Sequence, residues 1–355
     1  MSVRQVRASQ WRGDGAKLII LAYTTDLQTR WMLGITAAHY KLPLMLVGAG
    51  MRWRSDPTKQ AGVARAMQLL GRVAPGVPIM VLDGSDTAVA NRLLPGTSAR
   101  LERLAALRDT VLVGTECILW PVCRKELYQG DAAHRQCVSH WPACFPNSGA
   151  MVASPASWQR IWPLITYLMA NSTVARTYQK MPLNQVAIQD LYFSMREHNV
   201  SVEVDGPSNF FASTATCKSS QLHRRVNCFN KQWAAVKHMR FVSHERGHAD
   251  AAGAASVEYG LEYNSSQLPR APGEPPPRPR RPLIVHANGD PQNEMMNVLG
   301  MVAFFNPAPE TATQSALLTV DTSAFGVCAV PTLGDAIARL GTNTTQRPYG
   351  GGNTA

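Results

Sequence analysis

The sequence has no apolar run that approaches the roughly 20 residues needed to cross a bilayer, although 45% of its 355 residues are hydrophobic. Its opening segment, MSVRQVRASQWRGDGAK, carries basic side chains without an apolar stretch after them, so it lacks the pattern of a secretory signal. We expect a folded, soluble protein of one large domain or two smaller ones. The default expectation is a cytoplasmic protein, with the secretory pathway left open if a leader has been removed.

No two cysteines have the C-x-x-C spacing of many zinc sites, and the total of seven is odd. Metal-ligand side chains nevertheless cluster in one stretch, at Cys117, Cys123, His134, Cys137, His140 and Cys144. These residues could include four zinc ligands, and free thiols or disulfides are the alternatives. The redox compartment therefore stays open.

Acidic residues are outnumbered, with 24 Asp and Glu against 35 Lys and Arg and a net charge of +11. Such a balance favours anionic partners, such as nucleic acid, membrane headgroups or a phosphorylated small molecule. Part of the excess lies in the proline- and arginine-rich segment LPRAPGEPPPRPRRP rather than in a continuous patch. A nucleotide-like ligand is therefore favoured over nucleic acid.

Short apolar runs alternate with helical patterns through the first third of the chain. The predicted strands are 18–26, 41–50, 77–86 and 110–116, and the predicted helices between them are 24–40, 57–73 and 99–109. A Cys-rich loop (117–145), a turn (145–150), helices near 155–170 and 184–198, and a strand (201–205) then follow. This alternation predicts an α/β protein with an open, mostly parallel, Rossmann-like sheet and helices on both faces.

The predicted domain organisation is simple. Residues 1–16 form a flexible N terminus, residues 17–300 form one domain, and residues 301–355 form a C-terminal extension with a disordered end. Within the domain, residues 244–282 are poor in large apolar residues and rich in proline, which predicts an exposed or disordered inserted loop. A strand is expected to resume over 282–290.

Two acids, Asp83 and Asp86, follow the third predicted strand. Ligands of open α/β sheets bind at the carboxyl ends of the strands, and two carboxylates there suit Mg²⁺ or Mn²⁺. The alternative is that one of them only caps the next segment. His286 ends a similar apolar strand and could complete the site across the carboxyl edge of the same sheet, although a single histidine in a turn is usually just solvated or hydrogen-bonded. Asn288 and Gly289 extend that turn.

Two further motifs offer polar groups. In FPNSGA, Asn147 and Ser148 supply donors and acceptors for hydroxyl groups, with an ordinary turn as the alternative. His248 and Asp250, together with His286, have the ligand types of a two-histidine, one-carboxylate iron site. They lie in a low-complexity stretch, however, and too little chain follows His286 to build a separate jelly roll around it.

Five stretches, VLDGSD, TECILWP, FPNSGA, NQVAIQDLYF and VHANGD, occur in an order that resembles the glycosyltransferase domain of procollagen lysyl hydroxylases and its stand-alone relatives. The resemblance covers roughly residues 17 to 300. It implies a GT-A fold and transfer of glucose or galactose from a UDP-sugar, with Mn²⁺ or Mg²⁺. The implied acceptor is a hydroxyl on a peptide or glycan, such as hydroxylysine or glycosylated hydroxylysine on a collagen-like peptide.

The resemblance also implies residue roles. The metal ligands would be Asp83, Asp86 and His286. The nucleotide and sugar would be contacted by Thr24, Thr25, Trp53, Lys59, Ser85, Trp120, Asn147, Ser148, Asn288 and Gly289. Ser85 stands where the family has an aromatic residue, and Lys59 is a candidate substitute for a lysine that follows H-G-N-G in the family.

One departure concerns the chemistry. Asn184 precedes Gln185 where the family has an acid, and an asparagine cannot act as a carboxylate base. Catalysis would then use Gln185 with substrate assistance, or recruit Asp190 or Glu116. The alternatives are a catalytically silent GT-A-fold protein that binds a nucleotide sugar, or a transferase acting on nucleic acid.

Overall fold

Alternating apolar strands and helices build the protein in a computed structural model, which describes residues 4–7, 15–24, 30–48, 56–84, 86–116, 119, 125–140, 144–171, 183–206, 209–213, 239–249, 255–263, 280–286 and 316–319. The strands are β1 Arg4–Arg7, β2 Ile19–Tyr23, β3 Leu44–Val47, β4 Ile79–Asp83, β5 Thr87–Val89, β6 Thr110–Glu116, β7 Phe145–Ala153, β8 Ser201–Val204, β9 Phe211–Ser213, β10 Met239–Ala249, β11 Ala255–Tyr263, β12 Ile284–His286 and β13 Ala316–Thr319. The helices are α1 Arg30–His39, α2 Asp56–Val73, α3 Pro95–Ala106, α4 Lys125–Gly130, α5 Ala132–His140, α6 Pro155–Asn171, α7 Leu183–Phe193 and α8 Met195–His198.

The central sheet has eight strands in the order β1-β13-β3-β2-β4-β7-β6-β8. All neighbouring pairs are parallel except the two that involve β7, which runs antiparallel to both β4 and β6. The prediction of a mostly parallel α/β sheet is therefore confirmed. Strands β2 and β4 pair in register from Ile19 with Ile79 to Tyr23 with Asp83, so both end at the same edge.

Helices cover both faces of this sheet because successive residues of a strand point to opposite sides. In β2, Ile19 and Leu21 belong to a core cluster that contains residues of α2, α6 and α7. Between them in sequence, Ile20 belongs to a second cluster with residues of α1 and α3. Because both faces of the sheet are covered, the sequences of the buried strands are continuous apolar runs.

Two smaller sheets complete the described structure. Strands β10 and β11 form an antiparallel pair, and β12 lies between β5 and β9, antiparallel to the first and parallel to the second. The small sheet matters for the site, because β5 directly follows the two acids at the end of β4. We expected His286 at the edge of the large sheet, and that expectation was wrong: its strand belongs to the small sheet.

Several predicted boundaries need correction. The Cys-rich stretch contains α4 and α5 rather than only a loop, and FPNSGA begins strand β7 rather than forming a free turn. Parts of the expected flexible N terminus and C-terminal extension are strands β1 and β13, which pair with each other in the large sheet. The expected loop 244–282 contains most of the β10–β11 hairpin, whose second strand, ASVEYGLEY, alternates apolar residues with polar or small ones.

Among the cysteines, Cys137 and Cys144 form a disulfide between the end of α5 and the start of β7. This confirms the disulfide alternative for these two residues and excludes the alternative of a zinc site that uses them, because a disulfide has no thiolate to offer. Cys117 and Cys123 lie outside the described residues. Within the part of the chain that the structure describes, no helix is long and apolar enough to cross a membrane.

Candidate metal centre

The two acids of the D-x-x-D motif are held by a tight turn at the end of β4. The backbone N–H of Gly84 donates to the carbonyl of Tyr23 (2.9 Å), and the Thr87 hydroxyl donates to the carbonyl of Asp83. A side chain at Gly84 would overlap Thr24 and the Tyr23 carbonyl. Glycine is therefore needed where the chain passes this close to β2.

His286 reaches the acids through the pairing of two short strands. It ends β12 and lies opposite Thr87 of β5 in the antiparallel register. Its Nε2 atom is 3.4 Å from the nearer carboxylate oxygen of Asp86, and the residue is only 5% exposed. The chain thus brings together two acids and an imidazole that are about 200 residues apart in sequence.

Asp83, Asp86 and His286 each offer one ligand atom, and these atoms all lie within 4.8 Å of one another. Carboxylate oxygens are the ligands that hard divalent cations such as Mg²⁺ and Mn²⁺ prefer, and an imidazole is compatible with Mn²⁺. The three residues fit such an ion. Both acids are partly exposed, which leaves the site open to a further ligand.

The imidazole of His286 feels two opposing effects. Burial lowers its pKa, but the carboxylates of Asp86, Asp83 and Glu116 outweigh burial and raise the pKa to about 9. In the absence of a cation, His286 is therefore protonated at neutral pH. A metal needs the neutral imidazole, so binding must release this proton.

A lysine of helix α2 contacts one of the two acids, Asp83. The ammonium nitrogen of Lys59 lies 2.5 Å from one carboxylate oxygen of Asp83, and it is 6.0 Å from the ring centre of Tyr23. The Lys59 side chain is 14% exposed. Sequence reasoning did not select Tyr23, and the only signal for it is an aromatic residue at the end of a strand.

Strand β7 passes the metal centre with an irregularity. Its pairing with β6 shifts between Val113 and Gly114, so that Gly114 lies opposite Asn147. Here side chains satisfy backbone groups: Asn147 accepts from the Gly149 N–H (2.7 Å), and Gln185 accepts from the Ser148 N–H (2.7 Å). The polar sequence therefore fits a strand because it carries its own hydrogen-bond partners.

Gly149 borders His286 directly. A Cβ atom at this position would overlap the imidazole ring and approach the Asn147 side chain. Glycine leaves the space that the ring fills, as expected where two segments approach closely. Asn147 and Ser148 are both buried beside this contact.

Of the three candidate catalytic residues, Glu116 and Gln185 lie together and Asp190 lies further along α7. The Gln185 amide donates to the Pro146 carbonyl (2.6 Å) and lies 3.4 Å from the Glu116 carboxylate. Glu116 is buried, and it helps to raise the pKa of His286. Burial, with contributions from Glu116 and Asp190 among others, also raises the pKa of Tyr128.

The structure thus brings together many of the predicted residues around one edge of the sheet. They are Thr24, Lys59, Asp83, Asp86, Glu116, Asn147, Ser148, Gln185 and His286. The other predicted positions lie outside the described residues: Thr25, Trp53, Ser85, Trp120, Asn288, Gly289 and Asp250. His248 lies on β10.

Comparison with known proteins yields structural likeness only. No protein-family model matches the chain, and no curated protein matches it. A glycosyltransferase involved in the glycosylation of the major capsid of PBCV-1 is similar at 11% identity, with 80% of this chain and 99% of that chain covered and a TM-score of 0.39. The galactosyltransferase LgtC, in complex with donor and acceptor sugar analogs, is similar at 10% identity, with 82% and 97% covered and a TM-score of 0.37.

Mouse xyloside xylosyltransferase 1 is similar at 15% identity, with 57% of this chain and 88% of that chain covered and a TM-score of 0.33. Likenesses of this size do not define an activity for this chain. The fold and the site define its class more directly: it is an α/β protein with a mostly parallel sheet and a two-carboxylate, one-histidine centre fit for a divalent cation.

Proposed function

We propose that the chain is a divalent-cation-dependent glycosyltransferase of the GT-A type, which transfers glucose or galactose from a UDP-sugar to a hydroxyl acceptor. The observation that carries the proposal is the convergence of Asp83, Asp86 and His286 at the carboxyl end of β4. Nucleotide ligands of open α/β sheets bind at this edge. Two acids and an imidazole suit Mn²⁺ or Mg²⁺ while leaving positions for phosphate oxygens.

The residues around this centre suit a nucleotide diphosphate. A cation held by the three ligands would supply charge neutralisation for the diphosphate and for the departing UDP. Lys59 places a second positive charge beside the same acids. Thr24, buried against the Gly84 turn, borders the proposed nucleotide side. Nucleotide and sugar contacts are also proposed for Thr25, Trp53, Ser85, Trp120, Asn288 and Gly289.

The donor sugar is proposed to lie against the irregular part of β7. Asn147 and Ser148 are buried next to Gly149, which packs on His286, so they lie beside the proposed cation. Gln185 holds this segment through hydrogen bonds to Pro146 and Ser148. Because its amide already serves these backbone groups, we propose that Gln185 positions the sugar-binding segment rather than acting as a base.

Glu116 is the proposed proton acceptor for the attacking hydroxyl. Asn184, which replaces the acid expected before Gln185, cannot take a proton as a carboxylate does. Glu116 is close enough to the metal centre to affect the pKa of His286 and lies 3.4 Å from the Gln185 amide. Asp190 is the second candidate. Replacing Glu116 by Gln should lower kcat strongly and leave UDP binding intact, whereas an unchanged kcat would reject this role.

One experiment tests the proposal as a whole. Binding and turnover of a panel of UDP-sugars would be measured with and without Mn²⁺, with hydroxylysine peptides and their glycosylated forms as first acceptors. Asp83→Ala and Asp86→Ala should lose Mn²⁺-dependent UDP binding. Asp109→Ala is a matched control, because Asp109 precedes β6 and so lies at the opposite edge of the sheet. Unchanged metal-dependent binding in both site variants would reject the centre.

A second candidate function is a silent binding protein, favoured by Asn184 in place of an acid. Such a protein would bind UDP with Mn²⁺ but neither transfer nor hydrolyse the sugar. A transferase acting on nucleic acid would be distinguished from these two candidates by the salt dependence of its binding, since affinity for DNA or RNA falls steeply as the salt concentration rises. No binding to either at low salt would reject that version.

A further inference from the structure

Lys59 competes for one of the three metal ligands. Its ammonium nitrogen is 2.5 Å from Asp83, and the pair is partly shielded, with side chains 14% and 30% exposed. This is a close charge-assisted contact. The lysine comes from α2, a different element from those that carry the ligands, so its position is fixed separately from theirs.

A cation at the centre would need the same carboxylate. Asp83 is one of the three ligands, and like charges repel strongly when they share a partly shielded site. Lys59 contacts one of the two Asp83 carboxylate oxygens, and repulsion from a divalent cation on this carboxylate favours movement of the ammonium away from it. A flexible four-carbon stem with three rotatable donors allows such a change of partner.

We propose that Lys59 is a positioning residue that exchanges partners, from the Asp83 carboxylate in the free protein to the diphosphate in the loaded one. This inference rests on the proposed function, since it assumes a cation and a nucleotide diphosphate at this centre. A diphosphate bound to a cation at this centre would offer the released ammonium a new anionic partner. Cation binding and nucleotide binding then become coupled. The cation releases the lysine for contact with the diphosphate, and the diphosphate gives a new partner to the lysine that the cation displaces.

The coupling predicts two changes in binding affinity that would not be expected of a lysine with a purely structural role. Lys59→Gln should bind Mn²⁺ alone about threefold to tenfold more tightly, because the substitution removes the ammonium group that competes with Mn²⁺ for Asp83. The effect is modest because the Lys59–Asp83 pair is partly exposed. The same variant should bind UDP in the presence of Mn²⁺ about tenfold more weakly, because a charge-assisted contact to phosphate is lost. Opposite changes in the two affinities are the expected result.

The measurement is Mn²⁺ binding by electron paramagnetic resonance, and UDP binding by calorimetry at saturating Mn²⁺. Lys59→Arg keeps the charge and should preserve the coupling. Lys59→Met removes the charge but keeps an apolar side chain, and it should behave like Lys59→Gln. Lys17→Gln is the matched control, because Lys17 precedes β2 at the opposite edge and pairs with Glu102 (3.7 Å). Thermal unfolding confirms that each variant is folded.

The outcomes separate this inference from the proposed function. Wild-type protein that binds neither Mn²⁺ nor UDP overturns both. Wild-type protein that binds both, with a Lys59→Gln variant whose affinity for Mn²⁺ alone is unchanged or weaker, overturns the partner exchange and leaves the glycosyltransferase proposal standing. Tighter Mn²⁺ binding with weaker UDP binding supports the exchange.

Discussion

Replacing Gly149 by alanine should damage the metal centre without changing a ligand. The added methyl group would overlap the imidazole of His286 and approach the Asn147 side chain. His286 is only 5% exposed, so the ring has little free space into which it can move. Overpacking of a buried site costs about 1–3 kcal/mol, and the ring that must shift is itself the proposed third ligand.

The expected loss of affinity follows from that shift. Disturbing the orientation of a ligand typically weakens metal binding by about tenfold to a hundredfold. The loss is visible in stability as well as in titration: Mn²⁺ at about a hundred times its Kd stabilises a protein by about 2.7 kcal/mol. Gly149→Ala should show a clearly smaller gain in unfolding free energy at the same Mn²⁺ concentration.

Gly34→Ala is the matched control, since Gly34 lies in α1 and an added methyl group there meets nothing within 4 Å. This control should be slightly more stable than wild type, by about 0.5–1 kcal/mol, because alanine favours a helix over glycine. Its Mn²⁺ titration should match that of wild type. If Gly149→Ala binds Mn²⁺ with wild-type affinity, the close packing of β7 on His286 is not what orients the ligand.

Three other predictions concern the charge of His286 and the buried polar residues that hold neighbouring strands in place. Because the pKa of His286 is raised to about 9, its stabilising effect on the metal-free protein should be complete below about pH 6.5 and disappear as the pH rises through 9. Mn²⁺ affinity should rise over the same window, with protons released into weakly buffered solution, and a flat profile would contradict the assignment. Asp205→Ala should lower the urea-unfolding free energy by about 3 kcal/mol, because it removes a buried carboxylate that accepts two backbone N–H groups. A loss below 1 kcal/mol would contradict it. Thr36→Val should weaken Mn²⁺ binding and destabilise the fold by about 1–3 kcal/mol, since the Val89 N–H of β5 donates to the buried Thr36 hydroxyl (3.0 Å). Wild-type affinity of this variant for Mn²⁺ would show that β5 keeps its position without this hydrogen bond.

Four strands of the large sheet, β2, β3, β4 and β6, could be predicted because each buried run stops at a polar residue or a glycine. Strand β6 follows the prediction at both ends, and β4 ends at Asp83 within the predicted strand. Helix α2 likewise begins one residue before Pro57. In each case a local signal, burial or backbone chemistry, coincides with the boundary.

Strand β7 could not be predicted because its decisive interactions are not local. Pro146, Asn147 and Gly149 are typical of turns, yet they belong to a strand that pairs with both β4 and β6. The Asn147 and Gln185 side chains replace the hydrogen bonds that the irregular register leaves out. Gln185 is far from β7 in sequence, so no local pattern reveals this compensation.

The N terminus, the C-terminal extension and the expected loop 244–282 were misjudged for a related reason. Strands β1 and β13 lie near opposite ends of the chain and pair only with partners distant in sequence or with each other. Strand β11, ASVEYGLEY, does alternate apolar residues with polar or small ones, but its partner β10 contains the polar run SHERGHA, in which no such alternation is visible. Strand propensity depends on such pairing partners more than on the residues themselves.

The D-x-x-D motif marks the point at which the chain leaves one sheet and enters another. Asp83 ends β4 of the large sheet, whereas Asp86 directly precedes β5 of the small one, where β12 carries His286. A cation shared by the three ligands would therefore join the two sheets, and its binding energy would become stability of the small sheet. Mn²⁺ should slow hydrogen exchange at the Val285 amide more than at amides of β2 in the large sheet. Equal protection in both sheets would mean that the cation stabilises the protein only globally, and that the small sheet is rigid before the ion binds.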